Sequence, residues 1–124
     1  MEKGKSQTLK MKVMMKVMMN NIAPETLNEW RKDSKDHQLI DIREPWEREI
    51  GHIDGSEHIS MSALLEKIEK ISRTRPVVFY CRSGKRSTAV AHHLTKQLGY
   101  ENALNLQGGI QAWADKVDTS IEVA

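Results

Sequence analysis

From about residue 18 onward, short apolar runs alternate with stretches whose apolar positions recur every three or four residues. Leu39-Ile40-Asp41-Ile42, Val77-Val78-Phe79-Tyr80 and Ala103-Leu104-Asn105-Leu106 are four-residue runs that read as buried strands. Asn20-Asn21-Ile22 and His58-Ile59 are briefer strand candidates. Between them, Pro24 opens a helix to about Asp33, with Leu27 and Trp30 on its apolar face. Pro45 takes the first position of a short helix to Ile50, and Gly51 to Gly55 is a turn. Met61 to Ile71 reads as a helix with Leu64, Leu65, Ile68 and Ile71 on one face. Arg86 to Leu98 reads as another, with Ala89, Val90, His93, Leu94 and Leu98 toward the core and Gly99 closing it. Gly108-Gly109 precedes a last helix through Trp113. Strands alternating with helices predict an α/β fold around a parallel sheet. In such sheets, sites lie at the carboxyl ends of strands. Asp41 with Arg43, Cys81, and Gly108 with Gly109 all fall at such ends.

Residues 1–17 read as an N-terminal tail and 18–124 as one domain. In the tail Lys3, Lys5, Lys10, Lys12 and Lys16 stand against Glu2 alone. Met11, Met14, Met15 and Met18 fit a helix there, whereas Val13, Met15, Val17 and Met19 fit a strand, so both remain open. A loosely packed tail is the plainer expectation, and a Met-rich contact for a partner is the sharper one. The net charge of +2 is too small to suggest a nucleic-acid binder. No run of about 20 apolar residues predicts a membrane span. Lysines interrupt the only leader-like stretch and no small-residue cleavage site follows it, so export is not expected. A single cysteine excludes an internal disulfide and a Cys/His zinc site, and suits a reducing cytoplasm. Neither His92 nor His93 has metal-ligand spacing; His93 reads as core and His92 as surface. No metal or cofactor is expected. Trp46 and Trp113 read as packing residues, and His52 as a residue that fixes its turn by bonding backbone.

The chemistry concentrates at Cys81-Arg82-Ser83-Gly84-Lys85-Arg86-Ser87. A β-prone run delivers the thiol into a loop of small and basic residues, and a helical pattern follows at once. Backbone N–H groups and a helix N-terminus then face the sulfur, with three cations nearby. Such a setting favours the thiolate and any anion bound to it. Cys81 is the expected nucleophile. Arg82, Ser83, Gly84, Lys85, Arg86 and Ser87 are the expected anion-binding loop, with Asp41 and Arg43 in support. With no second cysteine, whatever forms on Cys81 must be discharged by another molecule.

At these residues the chain resembles the rhodanese family in its single-domain form, over about residues 18 to 116. Asp41-Ile42-Arg43-Glu44, Gly51-His52-Ile53-Asp54-Gly55-Ser56, the Cys81–Ser87 loop and Leu106-Gln107-Gly108-Gly109-Ile110-Gln111-Ala112-Trp113 are similar to the family's four signatures, in its order. Ser60 stands where the family often has proline, and His58 is unusual just before it. The resemblance implies a five-stranded parallel sheet with helices on both faces. It implies a sulfurtransferase that takes sulfane sulfur from thiosulfate or a persulfide donor and passes it, through a Cys81 persulfide, to a thiol or cyanide. The alternative is a carrier or interaction module that relays persulfide sulfur between protein partners. Four residues separate Cys81 from Arg86, one fewer than in related phosphatases, so a sulfur atom is expected to fit and a phosphoryl group to be crowded.

Overall fold

In the computed structural model, which describes residues 20–124, the elements run in the order the alternation predicts. They are β1 (Asn21–Ile22), α1 (Pro24–Lys32), β2 (Gln38–Asp41), α2 (Pro45–Ile50), β3 (Glu57–His58), β4 (Val77–Tyr80), α3 (Lys85–Leu98), β5 (Ala103–Leu106) and α4 (Gly109–Lys116). The expected tail, 1–17, lies outside the described residues. The strands form one five-stranded sheet in the order β1-β5-β4-β2-β3, and every pairing is parallel. Every residue of β2 and of β4 is buried, as expected of strands covered on both faces.

The two-residue period of β4 sorts the core into two layers. Val77, Phe79 and Cys81 join Val90, Ala91 and Leu94 of α3 on one face. Val78 and Tyr80 join Leu27 of α1 and Ile110 and Trp113 of α4 on the other. The thiol therefore stands at the edge of the α3 layer, where β4 ends and α3 begins. No helix among the described residues is long and apolar enough to cross a membrane.

Three local expectations are corrected. Met61 to Ile71 is not a continuous helix; it holds two 3-10 turns, Met61–Ala63 and Ile68–Lys70. Tertiary bonds tie both ends. Met61 N–H donates to Ile42 O at 2.9 Å, and Gln38 Nε2 donates to Lys70 O at 2.7 Å. Leu64 and Ile71 still reach the core, but Leu65 is exposed. In α3 the buried residues are Ser87, Val90, Ala91 and Leu94, whereas Ala89 and His93, expected inside, are exposed. The helix is rotated so that Ser87 faces the thiol, and the apolar spacing continues from there. Trp46 is 60% exposed rather than packed, whereas Trp113 is buried as expected.

Candidate active site

The loop after β4 curls around the sulfur. Gly84 has φ +98°, a left-handed conformation that glycine adopts without steric cost, and this turns its N–H onto Cys81 Sγ at 3.1 Å. Ser87, in the first turn of α3, places Oγ 3.4 Å from Sγ. From the far side, α4 docks its N-terminus on the loop. Ile110 N–H donates to Cys81 O at 2.9 Å and Gln111 N–H to Arg82 O at 3.1 Å. Gly109 makes that approach possible, because a Cβ there would stand 2.4 Å from Arg82 O and 2.5 Å from Cys81 O.

Cys81 is 1% exposed, and burial pushes its thiol pKa up. The Ser87 hydroxyl and the backbone amides of Ser87, Gly84 and Arg86 outweigh that and hold it below its ordinary value. Donors fixed by the fold favour the charged form without reorganising. The cradle thus takes its thiolate preference mainly from hydroxyl and amide dipoles.

Arg86 has a partner that the sequence did not reveal. Its two terminal nitrogens donate to the two oxygens of Glu47 in α2, each at 2.9 Å. This bidentate pair raises the Arg86 pKa and holds the Glu47 carboxyl below its usual value. Glu47 also accepts from Glu44 N–H at 2.8 Å and closes a capping box at the start of α2. That glutamate three residues after Glu44 was the available signal. Among the described residues, Arg82 and Lys85 make no ion pair and stand exposed on the loop with Ser83. They are the cations left for an incoming anion.

Asp41 and Arg43 lie at the carboxyl end of β2, the strand beside β4. Arg43 is fully buried and donates to both Asp41 oxygens, at 3.0 and 2.9 Å, and to Gly51 O at 2.7 Å. Asp41 Oδ2 also accepts from Tyr80 Oη at 3.1 Å and from Arg48 Nη1 at 3.2 Å. These contacts brace the end of β4 and the turn at Gly51 to Ser56, and Arg43 turns toward them. His52 bonds the Arg48 carbonyl at 3.2 Å, and His58 bonds the Arg43 carbonyl at 2.8 Å.

Asn105 was also missed. It is a buried amide in β5, 2.5 Å from Ser87 Oγ. A polar residue inside the apolar run Ala103 to Leu106 was the signal, because a buried amide needs a partner. An open groove of about 440 Å³ runs beside the loop, between Ser83-Gly84-Lys85 and Asn21, Asn105 and Gln107. Among the described residues, no group of three or more His, Cys, Asp or Glu side chains is arranged to hold a metal ion.

The family model described as Rhodanese-like domain matches residues 23–116. A sulfurtransferase of Allochromatium vinosum is 41% identical over 97 residues, covering 78% of this chain and 90% of that protein. The probable adenylyltransferase/sulfurtransferase MoeZ of Mycobacterium tuberculosis is 39% identical over 100 residues; the match covers 79% of this chain and spans 25% of the length of that relative. The crystal structure of a rhodanese-related protein from Thermoplasma volcanium superposes with a TM-score of 0.68 at 33% identity, covering 79% of this chain and 93% of that one.

Proposed function

The chain belongs to the rhodanese-like domain family, and on that premise we propose that it is a sulfurtransferase whose Cys81 carries sulfane sulfur as a persulfide. The observation that carries the reading is the ring of donors around Sγ, with Gly84 N–H at 3.1 Å and Ser87 Oγ at 3.4 Å. The sulfurtransferase names of the relatives point the same way.

The donor is a small anion such as thiosulfate, drawn in by Arg82 and Lys85. The Cys81 thiolate attacks the outer sulfur. A new S–S bond forms to Cys81 as the bond to the sulfonate sulfur breaks, and sulfite departs with the electron pair. The persulfide is itself anionic, so the same amides hold its charge. Cyanide or an acceptor thiolate then attacks the terminal sulfur. Thiocyanate or an acceptor persulfide leaves, and the Cys81 thiolate returns.

Phosphoryl transfer fits this cradle less well. Four residues span Cys81 to Arg86, and the guanidinium fork that would clasp a phosphoryl oxygen pair is occupied by Glu47.

The test is steady-state turnover of thiosulfate with cyanide, beside aryl phosphate hydrolysis and sulfur uptake from a persulfide-bearing protein donor. Thiosulfate turnover that Cys81→Ala abolishes, with no phosphate hydrolysis, is the expected result. Uptake from the protein donor alone would support the carrier alternative. Efficient phosphate hydrolysis would overturn the assignment.

A further inference from the structure

We propose that Asn105 and Asn21 form a two-state hydrogen-bond relay acting through Ser87. The relay sets how strongly the Ser87 hydroxyl donates to the Cys81 sulfur. Asn105 is then a positioning residue, and the proposal rests on the reading of Cys81 as the reacting group.

Ser87 Oγ stands 3.4 Å from Sγ and 2.5 Å from Asn105 Oδ1. One hydroxyl carries one proton, so it cannot serve both at full strength. Asn105 in turn donates from Nδ2 to Asn21 Oδ1 at 2.9 Å, and the two asparagines are register partners across β1 and β5. In this setting the short bond to Asn105 Oδ1 holds most of the Ser87 proton, and the donation to the sulfur at 3.4 Å is the weaker of the two.

A carboxamide has a donor end and an acceptor end that exchange by a half turn. Suppose both amides turn over. Asn21 Nδ2 then donates to Asn105 Oδ1, Asn105 Nδ2 donates to Ser87 Oγ, and the Ser87 proton is released toward Sγ. That setting suits a thiolate. Each setting makes the same number of hydrogen bonds, so the exchange leaves no buried group unpaired. The thiol proton leaves to water, and the relay moves no net proton.

The charged groups around Cys81 lie elsewhere. Arg86 comes from α3, held by Glu47 of α2, and Arg82 and Lys85 stand exposed on the loop. Strands β1 and β5 bring only the uncharged Asn21 and Asn105 to the relay.

A carboxylate accepts and does not donate. Asn105→Asp therefore holds the Ser87 proton away from the sulfur. Asn21→Asp does so indirectly, by keeping Asn105 Nδ2 turned outward. The measurement is the rate of Cys81 alkylation by iodoacetamide against pH. Each variant should move the midpoint upward and slow alkylation at neutral pH about tenfold, the fall that follows from a rise of about one unit. In a Ser87→Ala background either substitution should move the midpoint less than half as far. Equal shifts with and without Ser87 would mean the added charge acts alone, and would overturn the relay. An unmoved midpoint in the original background would overturn it as well. Asn21 is exposed, so its variant keeps the test open should the buried one fail to fold. Alkylation needs no sulfur donor, so a failed relay and a failed sulfurtransferase reading give different results.

Discussion

Replacing Glu47 with glutamine removes the charge of the Arg86 partner while keeping its size. Two hydrogen bonds of 2.9 Å join the groups, and bonds to charged partners contribute about 1.5–3 kcal/mol each. Arg86 is 37% exposed, so water takes up part of the loss, and glutamine keeps one acceptor for the guanidinium. The net cost is about 1–2 kcal/mol. At roughly 4 °C per kcal/mol for a domain near this size, Tm should fall about 4–8 °C. The same change frees the Arg86 charge for the incoming dianion, so KM for thiosulfate should fall. The pH dependence follows from the pKa direction. The Arg86 hydrogen bonds hold Glu47 below its ordinary value, so its contribution is whole above that value and is lost as pH falls through the lowered one. The gap in Tm between wild type and Glu47→Gln should therefore close in acid. Thermal melts at neutral and acid pH, beside thiosulfate kinetics, measure all three effects. Equal Tm at neutral pH, or a raised KM, would refute the reasoning.

Gly109→Ala should lower Tm and slow Cys81 alkylation, because its Cβ meets two backbone carbonyls at a residue of φ +63°. Strain of about 1–3 kcal/mol is expected, and a variant that melts and reacts as wild type contradicts it. Arg43→Met should cost roughly 3 kcal/mol in denaturant unfolding, because Asp41 stays buried with its main partner gone. A midpoint unchanged from wild type would show that Arg48 and Tyr80 suffice. Deleting residues 1–17, which we place outside the catalytic domain, should leave melting and thiosulfate turnover near wild type. A large loss of either would put the tail in the folded unit. One glycine inserted after Gly84 should abolish sulfur transfer by widening the cradle; retained turnover would show that loop length does not govern it.

Strand β4 was legible as an unbroken apolar run, and β5 as one broken only by Asn105. Strand β2 was legible as the mostly apolar Leu39–Ile42, although the strand itself begins one residue earlier at Gln38. Strands covered on both faces carry such runs. The thiol loop was legible because basic and small residues directly after β4 cannot belong to a core. Other features depend on contacts between residues distant in sequence. Glu47 and Arg86 are 39 residues apart and meet only once α2 settles beside the loop. The Met61–Ile71 pattern carried the apolar spacing of a helix, yet Ile42 and Gln38 tie its two ends elsewhere. Periodicity placed α3 correctly but not its rotation, which Ser87 fixes by facing the thiol, and His93 is left outside. Asn105 stands out as a polar residue in a buried strand, but its place between Ser87 and Asn21 depends on the pairing of β1 with β5.

Intact-mass analysis of the thiosulfate-treated chain tests the central claim most directly. Because Cys81 is the only cysteine, a persulfide on it appears as one added sulfur atom. The account predicts that gain, its loss on adding cyanide, and its absence in Cys81→Ala. An unmodified wild type, or an adduct of the same mass on Cys81→Ala, would contradict it.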